Sequence, residues 1–297
     1  KSSCNPANTG DGHLMAMELG ARVLNSHMAA ARIRFIAPQR RKLVHMLPPW
    51  RVLTKFMELS LEYMPAWLLR PFIMSFLTTV LEAQPSLYQH GAILVNKRGE
   101  RFCDELDGPE FKLVEQPDQH AYIVFDERLA QKYSKFPHFV STAPGVAYAY
   151  VPDYQRSRRD VFQKAPTIEA LARKIGADPL KLAQTISESN AALAAEISNG
   201  RKASDTLSIE AGPFYAMGPV SCFAMGTDGG LAINEQFQIL GENEQPIPGL
   251  FGAGIVGLGG MMAEGHGHHL GWAFTSGRLA GRNAAYLANT ADATQER

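Results

Sequence analysis

Residues 265–281, reading Gly-His-Gly-His-His-Leu-Gly-Trp-Ala-Phe-Thr-Ser-Gly-Arg-Leu-Ala-Gly, hold the densest set of chemistry-bearing side chains in this 297-residue chain. His266, His268 and His269 fall within four positions. Imidazoles titrate near neutral pH, so such a cluster can transfer protons or polarise a bound group. Metal ligation together with Glu264 is a second reading, although His-x-His-His lacks the i, i+4 spacing of helical zinc sites and the sequence places no further partner. Ordinary loop histidines are a third. Behind them Gly271, Ala273, Gly277, Ala280, Gly281 and Ala284 predict a helix with small positions, able to lie close to a sheet or a flat ligand. The free N–H groups and positive dipole end of that helix, at His269 and Trp272, favour a partial negative charge.

Two more glycine clusters must be positioned with it. Gly252-Ala253-Gly254-Ile255-Val256-Gly257 formally matches GxGxxG after a strand. A dinucleotide turn should open a helix at once and meet an acid about 20 residues on. Here Gly259 and Gly260 follow, and the later region holds Ser276, Gly277 and Arg278. The segment reads as a decoy for that turn, its glycines marking backbone that runs close to another object. Asn8-Thr9-Gly10-Asp11-Gly12 is a turn cluster leading into a helix over residues 13–25, which Thr9 or Asp11 would cap.

The elements between these clusters follow from hydrophobic period. Residues 50–81 are the most apolar stretch, interrupted by Pro65 and Pro71, with Arg70 the one charge from Tyr63 to Leu81. A membrane span, a lipid-touching interfacial segment and a buried or substrate-lining helical pair all stay open, with the prolines and the arginine weighing against a span. Residues 92–102 predict a hairpin turning at 96–99, and 121–125 a strand closed by Asp126. Residues 167–198 predict amphipathic helices broken at Gly176-Ala177-Asp178-Pro179, with Asp178 as cap and Pro179 at the first helical position. Turn glycines and alternating apolar residues predict small-sheet strands at 229–234, 237–240 and 247–254.

With 29 Lys+Arg against 29 Asp+Glu, the chain has no net charge to displace counterions from nucleic acid. Three cysteines, Cys4, Cys103 and Cys222, are far apart and fit a reducing compartment rather than a disulfide framework. The sequence opens at Lys1 without a charged-then-apolar leader, so no signal peptide is expected. A cytoplasmic chain, with membrane association left open, and a processed or truncated piece of something longer are the expectations.

Taken in order, Asn8-Thr9-Gly10-Asp11-Gly12, the hairpin from Gly91 through Asn96, Gly99, Arg101 and Phe102 to Glu105, Gly212-Pro-Phe-Tyr215, Gly229-Gly230-Leu231, Pro248 to Gly254, and Gly271 to Gly281 resemble one group. It is the FAD-dependent fumarate reductase/succinate dehydrogenase flavoprotein superfamily, which also contains 3-ketosteroid 1-dehydrogenases. The resemblance implies an α/β chain, with an α+β cap, in which a partial FAD-binding Rossmann-like domain is interrupted by a cap domain. It places FAD-domain segments at 1–26 and 223–297 and a cap or substrate domain at 27–222. The family's GxGxxG strand–helix unit lies ahead of Thr9 and is absent here, so the missing FAD half is expected from the same gene or a second chain.

The departures from the family narrow the substrate. Ser86-Leu87-Tyr88-Gln89-His90 stands where fumarate reductases carry Thr-Glu and Arg, and Leu106 to Glu110 where their Arg proton donor follows. Met225-Gly226-Thr227 replaces their paired histidines, and His268 or its neighbour replaces the clamping Arg. A dicarboxylate needs such guanidinium partners, so fumarate and succinate are not expected. The tyrosines used by ketosteroid dehydrogenases fall on Ala263 and near Glu110 or Phe111. The resemblance implies FAD bound by Thr9, Gly10, Asp11, Gly12, Gly252, Gly254, Gly271, Trp272 and Ala273. His268, His269 and His266, with Tyr88 and His90 from the cap, would handle protons or polarise the substrate. The helix start behind the histidines would stabilise the N1–C2=O locus of a reduced isoalloxazine. The expected reaction is hydride transfer between flavin N5 and an activated C–C bond, as alkene reduction or dehydrogenation, on a small hydrophobic molecule. Peripheral membrane contact is left open, and a flavin-free ligand- or partner-binding module is the alternative.

Overall fold

A computed structural model describes residues 7–36, 50–65, 70, 74, 78, 81–143, 147–200, 205–261 and 268–295. The chain starts with α1 (Asp11–Glu18), β1 (Val23–Leu24), β2 (Ala29–Phe35), α2 (Arg51–Tyr63), α3 (Pro85–Gln89) and β3 (Ile93–Asn96). It continues through α4 (Pro109–Leu113), β4 (Ala121–Asp126), α5 (Glu127–Lys132), β5 (Ser141–Ala143), β6 (Ala147–Ala149) and α6 (Val151–Ser157). Then come β7 (Phe162–Ala165), α7 (Ile168–Ile175), α8 (Pro179–Ser198) and the long β8 (Phe214–Thr227). It closes with β9 (Gly230–Leu231), β10 (Gln238–Leu240), β11 (Pro246–Phe251) and α9 (His268–Gln295). Two compact units result, Lys1–Ala31 with Ala224–Arg297, and Arg32–Phe223.

The second unit is built on a sheet of order β2-β8-β4-β3, with β7 also on β8. Every residue of β3 and β4 is buried, the signature of strands covered on both faces. Ile93, Val95, Tyr122 and Val124 pack against Leu171, Ile175, Leu182 and Ile186 of α7 and α8. Leu171 and Leu182 are fully buried, each worth about 2 kcal/mol of apolar transfer. The helix pair starts and stops where side chains satisfy orphan backbone groups. Thr167 accepts from Ala170 N, Gly176 ends α7 at φ 74°, and Asp178 accepts from Leu180 N and Lys181 N.

Two local expectations are corrected. The hairpin at 92–102 has no returning strand: its second limb is reduced to a bridge between Val95 and Arg101, and β3 pairs with β4 instead. Side chains take the hydrogen bonds a second strand would have made. Asn96 Oδ1 accepts from Arg98 N and Glu100 N, while Glu105 Oε1 accepts from Leu94 N at 2.9 Å. The helix expected at 13–25 is shorter, running Asp11–Glu18, because Gly20 turns left-handed at φ 83° and the chain enters β1. Its N-cap is Gly10, also left-handed, so neither Thr9 nor Asp11 caps it.

In the first unit β1 pairs with β9 and β10 with β11, both antiparallel. Ala16, Ala21, Leu231 and Ile239 form its small core, with Val23, Ile233, Ile247, Leu250 and Val256 against it. No helix among the described residues is long and apolar enough to cross a membrane.

Candidate functional site

A cleft of about 260 Å³ opens in the first unit at the start of α1. Thr9, Gly10, His13, Leu14 and Met17 form one side, Val23, Asn25 and Ser26 a second, and Thr227, Gly229 and Gly230 a third. The backbone here is tight enough to demand glycine. A Cβ on Gly229 would stand 2.4 Å from Asn25 O, and one on Gly230 2.9 Å from Ile255 O and 3.0 Å from Leu258 N. Gly10, by contrast, has nothing within 4 Å of its missing Cβ. The first turn of α1 carries no side-chain cap hydrogen bond, and Asp11 lies in it; of the cleft's side chains Thr9, His13, Asn25, Ser26 and Thr227 can hydrogen-bond and Leu14, Met17 and Val23 are apolar. Gly12 follows, its missing Cβ against Val256 at 3.2 Å.

The glycines of the GxGxxG-like turn pack closely, as their expected approach to another object requires. A Cβ on Gly257 would fall 2.4 Å from the Gly252 carbonyl carbon, and one on Gly252 within 3.2 Å of Gly257, Ile239 and Ile233. The object close by is the chain itself. Gly254, at φ 60°, is tied to α9: its N–H donates to Ser276 Oγ at 2.9 Å and its carbonyl accepts from Trp272 Nε1 at 3.0 Å. The Trp272 ring lies against Phe237 with centroids 5.8 Å apart. The positions Gly271, Gly277 and Gly281 of α9 have open space where a Cβ would stand, and Ala273 is exposed. His268 and His269 open this helix and are exposed, whereas His266 lies outside the described residues. Among the described residues no His/Cys/Asp/Glu group has the geometry for a metal ion.

In the second unit a cleft of about 330 Å³ is lined by Arg32, Glu82, Tyr88, Glu105, Leu106 and Glu110, among others. Arg32 Nε stands 3.6 Å from Glu82 Oε2. Arg101 grips Glu105 through two bonds of 2.9 and 2.6 Å. Tyr88, on α3, is 8% exposed, and its phenol is pushed up by burial first and then by the charges of Glu105, Cys103 and Glu82. It therefore stays protonated at neutral pH, a hydrogen-bond donor and not a base. Burial likewise pushes the Cys103 thiol up to about 12, so it is no nucleophile at neutral pH.

His90 belongs to another cluster. Its Nδ1 lies 2.7 Å from Tyr133 Oη, which donates to Ser86 Oγ at 3.1 Å. Its Nε2 is 3.7 Å from Asp205, and its ring meets His138 edge-on at 5.1 Å. Burial and Lys132 lower its pKa against the opposing pull of Asp205. Tyr88 and His90, two residues apart, thus serve separate clusters. The sequence reading missed Arg32 and Glu82, which face the Tyr88 cleft, and Asn25 and Ser26, which face the Gly10 cleft. Only the Gly229-Gly230 doublet signalled that backbone would close on Asn25.

Residues 64–267 match the family described as FAD binding domain. A probable fumarate reductase of Shewanella frigidimarina is 33% identical over 202 residues, covering 66% of this chain and 31% of that protein. The digoxin reductase of Eggerthella lenta is 31% identical over 202 residues, covering 66% of this chain and 35% of its own length. The chain thus spans about a third of these curated relatives. Among solved structures, the open conformation of a flavocytochrome c3 fumarate reductase superposes with TM-score 0.58 at 28% identity, covering 96% of this chain and 41% of that one.

Proposed function

This chain belongs to the FAD binding domain family, in the fumarate reductase/succinate dehydrogenase flavoprotein superfamily, and from that premise we propose that it is part of an FAD-dependent oxidoreductase acting on a small apolar substrate. The first-unit cleft carries the reading. Its glycine-walled floor at Gly229 and Gly230, open Gly10 and uncapped α1 start fit the flat, polar-edged end of FAD. Thr9, Asn25, Ser26 and Thr227 would hydrogen-bond the edge of that ring system, and Leu14, Met17 and Val23 would cover its face. When bound, FAD supplies hydride exchange with a C–C bond beside an electron-withdrawing group. At about 260 Å³ the cleft is below the usual size for a whole cofactor, so the ADP end is held by a further portion, from the same gene or a second chain. Met15 and Leu19 of α1, with Leu270, Phe274 and Tyr286 of α9, are the exposed apolar surface that such a portion would cover.

The second unit has a small-molecule cleft of its own. Tyr88, held neutral, would donate a hydrogen bond to a carbonyl or similar group conjugated to the reacting bond. Glu82 and Glu105 are balanced by Arg32 and Arg101, which leaves Glu110 as the carboxylate that disfavours an anionic substrate in the same cleft. His268, His269 and His266 are the remaining proton-handling candidates, with His90 acting through Tyr133 and Ser86. Peripheral membrane contact, the natural source of an apolar substrate, is part of this reading.

Tyr88→Phe tests it. Because the phenol bears on the transition state, the substitution is expected to lower kcat/KM for an apolar enone about 100-fold while flavin content is retained. Unchanged turnover in Tyr88→Phe removes the second-unit cleft from the reaction. Loss of flavin in the unmodified protein, after incubation with FAD, favours the flavin-free binding module.

A further inference from the structure

We propose that the polar cleft between α8 and the segment 96–104 binds a linear organic polyamine. It shares no lining residue with the Tyr88 cleft, and the proposal goes beyond the flavin chemistry above.

The cleft holds about 720 Å³, an ordinary size for a small-molecule site. One wall is a face of α8. Lys181, Thr185, Glu188 and Ala192 recur there at intervals of four, three and four, while Leu182 and Ile186 enter the core. The opposite wall is set by Asn96, which is 2% exposed. Its Oδ1 accepts from Arg98 N and Glu100 N, and its Nδ2 donates to Glu100 Oε2 at 3.2 Å and Gln116 Oε1 at 3.0 Å. These bonds fix Glu100 and Gln116 on the wall before any ligand enters.

Thr185 shows that the cleft is unfinished. It is 5% exposed, yet its hydroxyl makes no hydrogen bond among the described residues. The sealed side-chain atoms without a partner there are Arg22 Nε and Arg34 Nε, so Thr185 Oγ1 opens on the cleft that the residue lines. A buried hydroxyl so placed is left to bond whatever enters.

Charge selects the ligand. Arg101 is engaged by buried Glu105 through bonds of 2.9 and 2.6 Å, and Lys181 stands 4.0 Å from Glu100. Glu196 has a partner of its own and is not counted. Asp104 and Glu188 remain, bonded only to neutral groups among the described residues, Leu106 N at 3.0 Å and Gln184 Nε2 at 2.7 Å. The Cys103 thiol on the same wall is raised by burial first, and of the charges around it Glu105, Asp104 and Glu110 act in the same direction, with Arg101 alone opposing. Carboxylates, an open hydroxyl and the Phe102 ring together suit ammonium groups on a methylene chain, which donate to oxygen and pack against aromatic faces. No His/Cys/Asp/Glu group among the described residues has the geometry for a metal ion instead.

Isothermal titration of the whole chain with spermidine tests this, with triethylene glycol as an uncharged chain of equal length. The expected result is about one spermidine per chain with Kd below about 1 mM, and no measurable heat from triethylene glycol. Asp104→Asn with Glu188→Gln should weaken spermidine about tenfold. Both carboxylates are exposed, so this variant should keep its circular dichroism and thermal midpoint. Thr185→Val, close in shape but without the hydroxyl, should weaken binding about fivefold. No heat from spermidine, equal heats from the two probes, or unchanged affinity in the double carboxylate variant overturns the proposal. Several weak equivalents per chain that the double variant leaves in place show general surface attraction and overturn it too. The titration uses neither flavin nor substrate, so its failure is separable from failure of the oxidoreductase reading.

Discussion

At Gly229 a single methyl group has nowhere to go: besides Asn25 O at 2.4 Å, it would meet Leu24 O at 2.6 Å, and both are backbone atoms. Gly229→Ala should therefore lower stability by about 1–3 kcal/mol, read as a fall in the urea midpoint. Gly226→Ala, three residues earlier with nothing within 4 Å of its missing Cβ, is the control and should fall much less. His90 makes a pH prediction. Burial lowers its folded pKa below the ordinary value of 6.5, so the unfolded chain takes up the proton first as pH falls. Its contribution to stability is full above 6.5, declines as pH drops below it, and levels off beneath the folded pKa. Stability curves of the unmodified protein and His90→Gln measured from pH 8 to 5 should converge toward the acid end; a constant gap between them contradicts the assignment. At this scale the sequence disclosed glycine doublets and histidines but not their partners. The Tyr88 cleft joins Arg32, Glu82 and Glu105, and no local pattern links residues so far apart.

Arg158 shows how elements of the second unit are locked together. Its side chain is fully buried and donates to Thr78 O and Ile36 O, both at 2.7 Å, and to Asp160 at 2.9 Å. Removing it leaves the buried Thr78 carbonyl and the half-buried Ile36 carbonyl without a donor, while Asp160 remains solvated, so Arg158→Ala should cost about 2–4 kcal/mol, measured by chemical denaturation. A loss below about 1 kcal/mol would mean that these bonds are replaced by water. What the sequence made legible among the elements follows the same physics. The helices α7 and α8 were readable because apolar period, Asp178 and Pro179 coincide locally. The first strand and the turn at 96–99 are legible, Gly99 N donating to Asn96 O at 3.0 Å, but the returning strand is not, because Asn96 and Glu105 satisfy backbone groups through side chains, which strand patterning does not encode. The helix after Thr9 was drawn too long because Gly20, at φ 83°, breaks an apolar period that continues beyond it.

For the whole molecule, the sequence reading put domain edges at 26/27 and 222/223, and the compact units divide at 31/32 and 223/224. Family membership was legible from the order of weak motifs, none sufficient alone. The role of the GxGxxG-like turn was not, since tight packing of Gly252 on Gly257 needs the same residues as close approach to a ligand. The account's central claim is that the cleft at Thr9, Gly10, Gly229 and Gly230 takes the flavin end of FAD and needs a separate unit for the ADP end. The direct measurement is flavin retained after gel filtration by this chain joined to the dinucleotide-binding strand–helix unit that precedes it in its family. The account predicts about one FAD per chain, with visible absorbance near 450 nm, and about a tenfold weaker FAD affinity in Gly229→Ala. A joined protein that folds and retains no flavin after incubation with excess FAD contradicts it.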